Sequence, residues 1–204
     1  MPERSLPTTL RKVSVKSVLV TLTLILLVAI GGLFLHEAGH GIAAVLMGGR
    51  ITLLRVMPGI QLFPRLSLEP WNGNVAAIGI ALPEGTDTTR QYAFVALMGS
   101  GFTFLLGLAA GVLLLLFKPT GWLRTLFVIA ALALPLDIIT YSLFPVLGLR
   151  HWIIFGGKKA EPLMGAVGLG IPPAVYYTVL ALVCVVYYVE LLRRLRKSNL
   201  PVAW

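Results

Sequence analysis

Three stretches of the chain run without a single charged residue: residues 18–35, 91–117 and 171–189, of 18, 27 and 19 residues. Each is long enough to cross about 30 Å of hydrocarbon as a helix. A fourth apolar stretch, 121–149, is interrupted only by Arg124 near its start and by Asp137 in its interior, and reads as a span carrying a functional acid. The predicted spans cover about 18–46, 91–117, 121–149 and 171–193. The first could pass for a signal peptide, but it is too long for an h-region. A charged motif also continues the helix where a cleavage site would lie, so the segment is expected to be retained.

Between the first two spans, over 49–90, the pattern changes. Residues 51–56, 60–68 and 75–82 form short, β-prone, partly alternating runs separated by turn residues. Pro58-Gly59 and Asn72-Gly73 are turn dipeptides, and the second, flanked by strand-like runs, signals a hairpin. Residues 150–170, rich in Gly and ending before Pro172-Pro173, read as an interfacial loop or re-entrant piece. The expected fold is an all-α polytopic membrane protein, a single domain over 1–204, with about four transmembrane helices and a small β-hairpin or sheet between helices one and two.

Composition narrows the class. Hydrophobic residues make up 57% of the 204 positions and charged residues 12%, with a mean hydropathy of +0.90, which excludes a water-soluble globule. One cysteine, Cys184, excludes a disulfide scaffold and a Cys-rich zinc or iron–sulfur site. Three histidines are too few for a di-iron membrane desaturase. The formal charge of +9 invites a nucleic-acid reading, yet the basic residues sit at the ends of apolar runs, so the expected partner is the lipid bilayer and no nucleic acid. The two tails and the link at 118–124 carry ten Lys and Arg, against seven in the longer segments on the other side. By the positive-inside rule both termini are cytoplasmic, and the expected location is a prokaryotic cell membrane.

The chemistry lies at the end of the first run, in His36-Glu37-Ala38-Gly39-His40. On a helix the i, i+4 spacing stacks both imidazoles on one face, where they can bind one Zn²⁺, with Glu37 beside the metal as general base. In a soluble chain so short a pattern recurs by chance. Inside hydrocarbon, where a charged group costs about 2.5–3.5 kcal/mol on insertion scales, such a cluster is a functional site by default. A catalytic zinc takes three protein ligands and leaves one position for water. Of eight acids, only Glu37 and Asp137 lie well inside predicted spans, which makes Asp137 the leading third ligand. His36 and Asp137 stand about 27 and 24 Å along parallel spans. His151 is the alternative, although its neighbours Arg150 and Trp152 suggest an interfacial anchor. Tyr141, one turn beyond Asp137, reads equally as a support for the site or as core.

The sequence resembles the site-2 protease family of intramembrane zinc metalloproteases. The resemblance rests on His36-Glu37-x-x-His40, the strand-rich segment after it, and Leu134-Pro135-Leu136-Asp137 in a later helix. It implies zinc bound by His36, His40 and Asp137, with Glu37 as the base, in a divergent, minimal member that cleaves transmembrane or juxtamembrane segments of membrane-protein substrates. Two other readings stay open: a catalytically silent metal-binding scaffold or regulator, and another HExxH-type membrane peptidase. Substrate identity and oligomeric state are not legible.

Overall fold

In the computed structural model, which describes residues 14–70, 79–86, 88–153 and 156–197, the first charge-free run folds as helix α1 (Val15–Leu46). Its start is set by Ser14, whose hydroxyl accepts the Ser17 N–H at 3.1 Å, satisfying one of the orphan donors of a helix N-terminus. Helix α2 (Thr89–Phe117) opens on a reciprocal capping box between Thr88 and Gln91. The Gln91 side chain also donates to the Met47 carbonyl at 2.9 Å, tying the start of α2 to the end of α1.

Between them lies a four-stranded antiparallel sheet of β1 (Arg50–Val56), β2 (Ile60–Phe63), β3 (Ser67–Leu68) and β4 (Gly79–Glu84), in the order β3-β2-β1-β4. The Pro58-Gly59 turn joins β1 to β2, with Gly59 at φ 129°, a conformation open to glycine and strained for other residues. The expected run 60–68 is split into β2 and β3 at Pro64, which cannot donate to a ladder. Asn72-Gly73 and the first half of the run 75–82 lie outside the described residues. The sheet sits on α1 through Gly41, where an added Cβ would collide with Ile51.

The third apolar stretch is not one straight helix to residue 149. It forms α3 (Gly121–Ala133) and α4 (Leu136–Leu143), broken at Pro135, which has no N–H to offer residue 131 and whose ring crowds the preceding turn. The freed Ala131 carbonyl accepts the Tyr187 hydroxyl at 2.9 Å, and the next one, of Leu132, accepts Tyr188 at 3.0 Å. Gly107 of α2 admits the Pro135 ring, and a Cβ there would overlap it. The two tyrosines belong to α6 (Pro173–Lys197). At the other end of α6, Tyr176 and Tyr177 bond to Ser142 of α4.

Residues 150–170 are more ordered than a loop: they contain a short helix, α5 (Glu161–Gly168). Gly165 of α5 lies so close to Ala93 and Leu97 of α2 that any side chain would strike them. Among the described residues, four helical stretches are long and apolar enough to cross a membrane: Val15–Leu46, Thr89–Phe117, Gly121–Leu143 and Pro173–Lys197. Their outer faces carry exposed Leu22, Leu26, Val185 and Val186, an arrangement that water disfavours and lipid accepts. The four helices point to a membrane protein.

Candidate metal centre

His36, Glu37 and His40 occupy the last third of α1, and the partners of each imidazole decide where its lone pair points. His36 Nδ1 lies 2.8 Å from Asp137 Oδ2. His40 Nδ1 lies 2.8 Å from the Val95 carbonyl oxygen. Both partners accept, so each ring donates from Nδ1 and turns its Nε2 inward. The two Nε2 atoms face each other at 3.2 Å. That separation fits one proton shared between the two rings, and equally a cation in its place.

Glu161, at the start of α5, brings a carboxylate oxygen to 3.6 Å from His40 Nε2. His36, His40 and Glu161 each offer one ligand atom, all within 4.8 Å of one another, and the group could hold a metal ion. The separations test the fit. Ligand bonds of about 2.0–2.1 Å in a tetrahedron put neighbouring donors about 3.3 Å apart, between the two distances observed. Space is kept by Gly99 of α2, where a Cβ would fall on the Nε2 atoms of both histidines.

Asp137 does meet α1, as the depth argument required, but on the far side of His36 from this group. Its Oδ2 takes the Nδ1 proton of His36 and the Thr103 hydroxyl, each at 2.8 Å. Its Oδ1 lies 2.8 Å from His151 Nε2. Both oxygens are therefore engaged with partners other than the pocket between the imidazoles. His151 is not an exposed anchor: it is 6% exposed. The chain turns back after Arg150, with the His151 N–H bonded to Gly157 and the Arg150 guanidinium to Gly156.

Glu161 stands outside the charge-free runs, so hydropathy alone does not single it out. A signal was available in Glu161-Pro162, an acid and a proline at a helix start, heading an apolar segment in the stretch between Asp137 and Glu190. Burial pushes the Glu161 carboxyl above the ordinary range, against the pull of His36 and of a hydrogen bond from Tyr141. Burial likewise lowers the His151 imidazole, opposed by Asp137. The Tyr141 ring lies between these groups, its centroid 5.3 Å from that of His36 and 3.9 Å from that of His151.

Glu37 is 7% exposed. It packs on Gly79 of β4, where a Cβ would overlap its carboxylate, and accepts the Ala81 N–H. All of these groups open onto one cavity of about 490 Å³. It runs along α1 from His40 down to Ile25, with Ile129 and Ala133 of α3 and the following Leu134 opposite and β4 along one wall. Against known proteins the chain matches no family model, no curated protein and no solved structure.

Proposed function

We propose that the protein is a zinc endopeptidase that hydrolyses peptide bonds in or beside membrane-embedded segments of other proteins. The observation that carries this reading is the pair of Nε2 atoms of His36 and His40 turned toward each other, 3.2 Å apart, with Glu161 beside them and Glu37 in the same cavity. His36, His40 and Glu161 would hold the metal, and Asp137 would orient His36 from behind. Zinc, when bound there, would polarise the scissile carbonyl and lower the pKa of a water to about 7. The Glu37 carboxylate would take the proton of the attacking water and pass it to the amide nitrogen, so that the C–N bond breaks after the new C–O bond has formed.

The substrate class follows from the walls. From His40 to Ile25 the cavity follows 15 residues of α1, about 22 Å of apolar helix. A helical substrate hides its amides, so the scissile segment must be extended. Edge strand β4, which contributes Gly79 to Ala81 to the cavity wall, could hold it by strand addition. The Lys and Arg balance supports cytoplasmic termini.

The test compares wild type and Glu37→Gln on a membrane-anchored substrate, with zinc assayed in both. Zinc retained in both and cleavage lost only in the variant is expected. Equal cleavage would move the base elsewhere, and zinc without cleavage by either would favour the scaffold reading.

A further inference from the structure

Tyr141 stands one turn beyond Asp137 on α4 and is 8% exposed. Its place in the sequence leaves two readings open, a support for the site or core, and the surroundings of the side chain decide between them. The ring lines the cavity of the candidate metal centre. It stands edge-on to His36, centroids 5.3 Å apart, and lies tilted against His151 at 3.9 Å. Its hydroxyl bridges from α4 to α5, donating to the Glu161 carboxylate. Room for that hydroxyl exists because residue 157 is glycine: a Cβ there would stand 2.9 Å from the hydroxyl oxygen. A tyrosine serving only as core has no need of such a cradle.

Asp137 and Tyr141 are four residues apart, so they project from one face of α4. Asp137 holds Nδ1 of His36, on α1, and Tyr141 holds Glu161, on α5. A single turn of α4 therefore reaches two members of the donor set that lie far apart in the chain. That turn follows directly on the break at Pro135, so the kink aims both side chains at once. The chemistry calls for both supports. A carboxylate that gives one oxygen to a cation can still rotate about its own bonds, and a donor on its other oxygen fixes its plane.

We infer that Tyr141 is a positioning residue, whose hydroxyl holds the Glu161 carboxylate in the donor set as Asp137 holds His36. The inference rests on the metal reading of the centre and not on peptide cleavage. Purified full-length protein in detergent is stripped of metal and titrated with cobalt(II). Affinity is read by chelator competition and coordination geometry by visible absorption. Tyr141→Phe keeps the ring and loses only the donor, so it is expected to bind cobalt about 10–100-fold more weakly, the usual range for such supports, with an altered spectrum. The loss should vanish in a Glu161→Ala background and persist in an Asp137→Asn background, a pattern that lost core packing would not produce. Gly157→Ala, which crowds the hydroxyl and spares the ring, should weaken binding in the same direction. Wild-type affinity and spectrum in Tyr141→Phe, or an equal loss with Glu161 already removed, would overturn the inference. If Tyr141→Phe does not fold, Gly157→Ala decides, and wild-type affinity there overturns it too. A wild-type protein that takes up no cobalt sinks the metal reading and this inference together. The expected pattern in a protein that cleaves no substrate sinks the peptidase reading alone.

Discussion

In the proposed reading, two imidazoles on successive turns of α1 divide their nitrogens between two tasks, Nδ1 for anchoring and Nε2 for the metal. That division separates the expected effects of four substitutions. His36→Ala and His40→Ala each remove a ligand and should abolish stoichiometric zinc. Glu161→Gln keeps the shape but removes the charge and one good donor, so zinc affinity measured by chelator competition should fall more than in Asp137→Asn. The latter removes the acceptor that orients His36 and should weaken binding about 10–100-fold, the usual range for such supports. If Asp137→Asn loses all metal while Glu161→Gln binds as wild type, the ligand set is the one the family resemblance implies. Gly99→Ala should be as damaging as losing a histidine, because the methyl would occupy the space of both Nε2 atoms. Legibility at this scale follows distance along the chain. His36, Glu37 and His40 share one helical turn, so their geometry is contained in their spacing. Glu161 is 121 residues beyond His40, and only the docking of α5 on α2 through Gly165 brings it near.

The four apolar runs announce the elements, since hydrocarbon permits little besides helix. What hydropathy could not convey is the break inside the third. The sequence displays Pro135, but whether a proline bends a span or ends it depends on who takes the carbonyls it releases, and those partners lie some 50 residues later. Tyr187 serves two carbonyls at once, Ala131 at 2.9 Å and Gly107 at 3.0 Å. Tyr187→Phe should cost about 1–3 kcal/mol, the range for leaving buried acceptors unsatisfied. It should lower the unfolding temperature in detergent without removing zinc. Tyr188→Phe, which frees one carbonyl, should cost less. Equal stability of both variants and wild type would mean that the kink holds itself. The strands were visible as short β-prone runs, whereas the position of β4 at the sheet edge, beside Glu37, comes from pairing and not from alternation.

At the scale of the molecule, ten cations against seven predict that a reporter fused after residue 204 is active only in the cytoplasm. Activity of the same fusion on the outer side would invert the assignment. The candidate centre takes His36 and His40 from α1, support from Ser100 and Thr103 of α2, Asp137 from α4 and Glu161 from α5. This distribution imposes an order on biosynthesis. The two histidines enter the bilayer early, but the acid that would complete their donor set lies 121 residues beyond His40, so three of the four apolar stretches are made before it exists. A growing chain therefore carries an unfinished centre past its neighbours in the membrane. Under the proposed function, hydrolytic power would be withheld until the helices have assembled, a safeguard against premature self-cleavage.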